Sequence, residues 1–294
     1  MYTPEEILRK TRKIELQTRH LVRSVFAGRY YSAFRGSGMN FDEVREYEPG
    51  DETRSIDWNV TARMDRPYVK KFSEERELIV MLLVDISASG LFGSLYQSKR
   101  EFGTEIASTI AFSAIQNNDR VGLMLFSDRL ELFIPPKKRS LHMARRLIRE
   151  MLFFEPQGKR TEFSAALKVL NHVIHQRAMV FILSDFIVQD LSKQFIIASR
   201  KHELIALSIL DPGEISLPDV GIVTFEDAET GQQIELNTSN QKVVEVFAKL
   251  ESKRRSTQQK WLKSCGIDFV SFPINAGIIP PLRAFFEQRR KKLL

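Results

Sequence analysis

The sequence predicts an open α/β sandwich, a mostly parallel sheet flanked by helices. Short, nearly unbroken apolar runs recur at Leu78–Val84, Val121–Phe126, Met179–Leu183, Leu204–Leu210 and Ile267–Phe272. Between them lie longer segments of helical period, near Gln97–Asn117, Leu141–Phe153, Glu162–His175, Asp190–Lys201 and Lys242–Ser264. Strands that are apolar on both faces and alternate with helices belong in a parallel sheet covered on both sides.

The remaining elements follow in order. Pro4 to about Gly28 reads as a basic amphipathic helix, with Ile7, Leu8, Ile14, Leu21, Val22 and Val25 as its apolar positions. Gly36-Ser37-Gly38 lacks the Gly-Lys-Ser/Thr ending of a phosphate loop and reads as a turn, as does Pro49-Gly50-Asp51. Ser55–Trp58 and Tyr68–Phe72 look extended. Arg129–Ile134 reads as a further strand, turned back on Val121–Phe126 at Ser127-Asp128. Ile222–Phe225 and Gln233–Leu236 flank a Glu229-Thr230-Gly231 turn and form a hairpin. The expected division is an N-terminal helical and extended subdomain, residues 1–75, and an α/β domain, residues 76–294, with the hairpin inserted near 215–240.

Composition narrows the function classes. With 294 residues, 43% hydrophobic and 28% charged, the chain can bury a large core in one or two domains of roughly 150 residues. The single cysteine, Cys265, excludes an internal disulfide framework and a cysteine-based zinc cage, and is expected to be a buried small hydrophobe. Met1–Glu6 is polar and no apolar signal region follows, so a cytoplasmic location is expected. The longest apolar run, Leu78–Val84, falls far short of the roughly 20 residues that span a bilayer. A net charge of +7 admits an acidic partner, nucleic acid or peripheral contact with an anionic membrane. The basic clusters at Arg9–Lys13, Lys137–Arg139, Lys253–Arg255 and Arg289–Lys292 are not interleaved with aromatics, so they read as solvated faces and a basic tail, and no specific nucleic acid is expected.

One constellation carries chemistry: Asp85-Ile86-Ser87-Ala88-Ser89, then Thr161, then Asp185. Taken singly, Asp85, Ser87 and Ser89 are ordinary strand-end turn or cap residues, and Thr161 is an N-cap for the helix that follows. Taken together, they place carboxylates and hydroxyls, with no thiol or imidazole, at strand ends where α/β sheets bind ligands. An all-oxygen set suits a hard cation, Mg²⁺ or Mn²⁺. His172 and His175 are spaced for a metal but lack a third ligand and read as surface or packing residues.

The set Asp85, Ser87, Ser89, Thr161 and Asp185 resembles the metal-ion-dependent adhesion site of von Willebrand factor A-type domains, over about residues 76–294. A second stretch, Gly38-Met39-Asn40-Phe41-Asp42-Glu43-Val44-Arg45-Glu46-Tyr47 through Pro49-Gly50-Asp51, Arg54-Ser55-Ile56-Asp57-Trp58 and Ala62-Arg63, narrows the resemblance. It is similar to the bacterial domain-of-unknown-function family fifty-eight, von Willebrand A-like proteins often encoded beside MoxR-type AAA+ ATPases. The resemblance implies that the serines and threonine ligate the metal while the aspartates hold ordered water around it. A carboxylate from another protein would then complete the coordination shell. It also implies a non-enzymatic adaptor or chaperone-like partner of a MoxR-type ATPase, or of an acidic client protein. Arg45, Arg54 and Trp58 are the candidate docking residues, against the plainer reading that Trp58 anchors the subdomain core and the arginines pair locally. The runner-up is a Mg²⁺-dependent phosphohydrolase with Asp85 as nucleophile. It lacks the second acid two residues on, since position 87 is Ser. A two-metal nuclease would need a denser carboxylate cluster.

Overall fold

The computed structural model describes residues 4–22, 43–48, 51, 56, 58–64, 66–71, 77–137, 140–187 and 193–293. They fall into two units, one holding the N-terminal helix and everything from Leu78 onward, the other lying within residues 34–77.

The larger unit is built on a six-stranded sheet: β3 (Ile79–Asp85), β4 (Arg120–Phe126), β5 (Leu130–Lys137), β6 (Met179–Ser184), β7 (Glu203–Leu210) and β10 (Asp268–Pro273). Across the sheet the order is β10-β7-β6-β3-β4-β5. Every neighbouring pair is parallel except β4 with β5, which turn back on each other as the sequence predicts. The chain builds outward from β3 in one direction, then crosses over and builds outward from β6 in the other. The switch point therefore falls between β3 and β6, the place where doubly wound sheets open a crevice at their carboxyl ends.

Helices cover both faces. Met81, Leu83, Met124, Phe126, Val180, Ile182 and Ala206 join one apolar cluster with residues of α5 (Phe163–Val173), α6 (Gln194–Lys201) and α7 (Gln241–Ser264). Each fully buried side chain of this size contributes roughly 1.5–3 kcal/mol. On the opposite face α3 (Lys99–Gln116) lies so close to β7 that a Cβ at Gly103 would meet Ile209 at 2.7 Å. Beside it packs α4 (Leu141–Phe153).

The N-terminal helix, α1 (Pro4–Leu21), packs across α3 and α4. It buries Ile14, and its buried Glu15 carboxylate meets the Arg145 guanidinium at 2.8 Å and Arg19 at 3.4 Å. Lys10 reaches Glu101 at 2.6 Å. The expected boundary near residue 76 thus misplaces this helix. Its apolar stripe and its ion pairs belong to the α/β unit, and only the described parts of residues 34–77 form the second unit.

That second unit pairs β1 (Glu43–Glu46) antiparallel with β2 (Tyr68–Lys71), in the register Glu43↔Lys71 to Glu46↔Tyr68. Ile56 bridges to Val69, and α2 (Trp58–Met64) follows. Trp58, expected at the end of an extended segment, instead opens this helix.

The C-terminal segment, expected to be a basic tail, is helix α8 (Ile279–Leu293). Pro280 and Pro281 fall in its first turn, where proline's missing N–H costs nothing. The predicted hairpin is present as β8 (Ile222–Glu226) and β9 (Gln233–Asn237). Cys265 sits half-buried just past α7, and His172 and His175 are exposed. Among the described residues, no helix is long and apolar enough to cross a membrane.

Candidate functional site at the carboxyl rim of the sheet

Asp85 is the last residue of β3, and its carboxylate is a hub. One oxygen accepts the Ser87 backbone N–H at 3.0 Å, the familiar turn by which Asp ends a strand. The other accepts the Ser184 hydroxyl at 2.7 Å and lies 3.2 Å from the Thr161 hydroxyl, whose single proton it shares with Glu229 at 2.8 Å. Ser87 is buried, and its hydroxyl lies 3.1 Å from that of Ser89. Burial, and then the neighbouring Asp185 charge, push the Asp85 carboxyl up to about 6, against the pull of the Ser184 and Ser87 donors.

Thr161 reaches Asp85 because its loop is pinned. Ala88 donates its N–H to Lys159 O at 2.9 Å, and Glu162 to Ser127 O at 2.9 Å. Gly158 N–H donates to Glu131 at 2.8 Å, and Ser127 donates to the same carboxylate oxygen at 2.6 Å. A Cβ at Gly158 would collide with Ser127 and Asp128, so the loop needs glycine there. The expected N-cap is displaced by one residue. Glu162 caps α5 by accepting Ser164 N–H at 3.0 Å, which leaves the Thr161 hydroxyl to the site.

Asp185, one residue past β6, is buried and differently held. One oxygen accepts Ile187 N–H at 3.0 Å; the other takes the Lys99 ammonium at 2.6 Å. Lys99 is itself buried and also bonds Glu214. Burial pulls its pKa down, but Asp185 and then Glu214 reverse that, and the net shift is upward. A cation at the first position of a helix opposes the macrodipole, so Lys99 at the start of α3 is tolerated through these two carboxylates. Glu214 is aimed by a capping box on Asp211, which also accepts Ser94 N–H at 2.9 Å.

The next residue, Phe186, is buried with φ +56°, a conformation costly for a bulky side chain. It is held by stacking on Phe163 at 5.3 Å and by Ser184, whose hydroxyl oxygen accepts its N–H at 2.9 Å.

The structure therefore brings Asp85, Ser87, Ser89 and Thr161 into one hydroxyl-lined patch at the switch point, with Asp185 alongside. A cavity of about 20 Å³, room for about one water molecule, is lined by residues that include Asp85, Ser89, Lys99, Ser184 and Asp185. Among the described residues no cluster of three or more His, Cys, Asp and Glu side chains is placed to hold a metal. The donor chemistry nevertheless fits a hard divalent cation, which Asp85, Ser87, Ser89 and Thr161 could hold through oxygen alone. Asp185 offers less, because Lys99 already neutralises it.

Several site residues escape the sequence reading. Ser184 lies just past the apolar run Met179–Leu183 and carries no signal of its own. Lys99 could have been found as a cation directly after an N-cap serine, where its charge is out of place. Glu229, read as part of a turn, accepts from the Thr161 hydroxyl at 2.8 Å. Of the candidate docking residues, Trp58 is 69% exposed and anchors no core. Arg45 lies on β1 in register with Val69. Arg54 lies outside the described residues.

Residues 43–257 match the family model described as protein of unknown function DUF58, and the chain belongs to that family. It is 30% identical over 287 residues to Uncharacterized protein Rv1480 of Mycobacterium tuberculosis, covering 96% of this chain and 90% of that one. A shorter relative, Uncharacterized protein MAV169 of Mycobacterium avium, is 29% identical over 140 residues, 47% of this chain and 82% of the relative. Among solved structures, an aerotolerance-related membrane protein from Bacteroides fragilis aligns with TM-score 0.46 and 16% identity, over 73% of this chain and 99% of that one. The SpRpn10 VWA domain aligns with TM-score 0.40 and 14% identity, over 72% and 95%. The fold is an α/β sandwich whose strand order and antiparallel edge strand, among the described residues, are read from the chain itself.

Proposed function

We propose that the protein is a non-enzymatic binding module that captures a carboxylate of a partner protein at the rim formed by Asp85, Ser87, Ser89 and Thr161. The supporting observation is the convergence of the Thr161 and Ser184 hydroxyls on Asp85, beside the Ser87–Ser89 pair. When bound, Mg²⁺ or Mn²⁺ would supply a positive centre to which an acidic side chain can attach. The neutral hydroxyls orient the patch without cancelling that charge, and Asp85 supplies the negative charge that would retain a cation. Asp185 stands alongside.

The surroundings suit a protein surface. Leu91 is 67% exposed, Tyr96 87% and Ile187 42%, all on segments that leave the same rim. Apolar side chains around a polar centre are the usual make-up of a protein contact. The family resemblance makes a MoxR-type AAA+ ATPase, or an acidic client of one, the partner to try first. The α2 region, with Trp58 exposed, offers a second contact surface. The phosphohydrolase alternative has less support, since Ser87 stands two residues after Asp85, where a second acid would be needed as proton donor.

Titration calorimetry tests the reading. Mn²⁺ or Mg²⁺ should bind wild type, fail to bind Thr161→Ala and bind Asp185→Ala weakly. Pull-down of the ATPase should then require the ion and be lost with EDTA. No uptake at millimolar ion by wild type, with or without the ATPase, would remove the proposal.

A further inference from the structure

The β8–β9 hairpin places a carboxylate on the site from within the chain. Glu229, at its tip, accepts from the Thr161 hydroxyl at 2.8 Å and from the Thr161 backbone N–H at 3.3 Å. Both oxygens of one carboxylate thus rest on both donors of one residue. The tip is shaped to present it. Asp227 accepts the N–H of Glu229 at 2.8 Å and of Thr230 at 2.9 Å, and Gly231, at φ +73°, closes the turn onto Asp227 O at 2.7 Å.

The hairpin has little else to hold its outer part. Its strands leave Ile222 72% and Ile234 58% exposed, with Val223, Phe225 and Leu236 only half-buried, and a lone two-stranded hairpin is marginal in water. Its base is fixed by buried Thr238, whose hydroxyl donates to Gly221 O at 2.8 Å and accepts Val220 N–H at 3.1 Å. An arm tied firmly at its base and by one carboxylate at its tip can pivot without disturbing the sheet.

We propose that Glu229 is an internal ligand occupying the position on Thr161 that a partner's carboxylate would take, so that the hairpin latches the site shut. This rests on the carboxylate-capture reading and deepens it. The partner must present an acid able to displace Glu229, and the hairpin must lift when it binds. Residues 222–237 are then the regulatory element of the site.

The test compares wild type, Glu229→Ala, Glu229→Gln and Thr161→Ala. Hydrogen exchange is followed at the amides of 229–231 in metal-free buffer, with amides of β3 and β6 as internal reference. Exchange at the tip should be about tenfold faster in Glu229→Ala and Thr161→Ala than in wild type, the scale of one charge-assisted hydrogen bond, with Glu229→Gln between. Water-proton relaxation is then measured with Mn²⁺ alone as probe. Each bound ion should relax water more strongly in Glu229→Ala than in wild type, because a coordination position passes from carboxylate to water. Equal tip exchange in wild type and Glu229→Ala overturns the latch, as does bound Mn²⁺ with equal relaxation in the two proteins. Faster tip exchange with no Mn²⁺ uptake by any of the proteins upholds the latch and removes the cation from the capture reading.

Discussion

At the end of β3 a carboxylate is held by hydroxyls and an amide; one strand away, at the end of β6, another is held by a buried ammonium. Asp85 and Asp185 share a residue type, a sheet and a rim, and they differ in what balances their charge. The Lys99 ammonium, shared with Glu214, neutralises the Asp185 side from inside the protein. Around Asp85 the donors are neutral, so its charge remains to be met from outside. The two carboxylates are therefore held differently: Asp185 ties α3 to the sheet, and on the proposed reading Asp85 is the one that faces the ligand.

Removing the ammonium is the strongest way to break this contrast. Lys99→Met should cost about 3–5 kcal/mol, because it leaves buried carboxylates without their counter-ion. Urea unfolding would measure it. Lys99→Met with Asp185→Asn should be less destabilised than Lys99→Met alone, since a buried pair exchanged for neutral groups leaves no stranded charge. A Lys99→Met protein as stable as wild type would mean that Asp185 needs no internal partner, and the contrast would fail.

Acid-side measurements on either aspartate carry a background from the opposite end of the sheet. His202, just before β7, is buried, and its Nδ1 accepts Ala178 N–H at 3.3 Å. Burial, and then the Lys201 charge, hold its pKa down from 6.5 to about 4. The unfolded chain therefore takes up a proton near pH 6.5, while the folded one does not until about pH 4. This contribution to stability is fully present above 6.5 and is lost as the pH falls toward 4. At about 1.4 kcal/mol per unit, the loss is up to about 3 kcal/mol. Urea midpoints at pH 7 and 5 should diverge more for wild type than for His202→Asn, whose side-chain oxygen can keep the Ala178 contact. Equal divergence would shift the acid sensitivity to the rim.

The Asp85 half can be disturbed without touching any ligand. Gly158→Ala should cost about 1–3 kcal/mol by forcing the loop off Ser127 and Asp128. Because Thr161 rides on that loop, the variant should also lose Mn²⁺ uptake. A variant that is destabilised but binds Mn²⁺ as wild type does would show that Thr161 is positioned some other way.

What the sequence makes legible follows the same division. Strands apolar on both faces announce themselves, and Asp85, Ser87, Ser89, Thr161 and Asp185 sit at their ends in recognisable order. The groups that set each carboxylate's role come from far away in the chain: Lys99 lies 86 residues from Asp185, Ser184 99 from Asp85 and Glu229 68 from Thr161. Local pattern cannot see such meetings, because the crossover between β3 and β6 and the hairpin after β7 create them. Local chemistry also misled twice. Arg289–Lys292 read as a basic tail and lie on helix α8, and Trp58 read as extended and opens α2.

The smallest expected effect is also the most discriminating. Ser184→Ala removes a donor to Asp85 and the acceptor for Phe186 N–H, and should cost about 1–2 kcal/mol. If the two halves were independent, Ser184→Ala and Lys99→Met would add to within about 0.5 kcal/mol. They are not expected to, because the Asp185 charge already presses on Asp85. Without Lys99 that charge is no longer compensated, and the Ser184 hydroxyl then steadies a more strongly opposed carboxylate. The double variant should be less stable than the sum by about 0.5–1 kcal/mol in metal-free buffer. Added Mn²⁺ should not restore additivity, since losing a donor to Asp85 weakens the ligand set itself. Strict additivity would mean that the two aspartates, although one strand apart, do not sense each other, and that the division of labour is two separate arrangements sharing a rim.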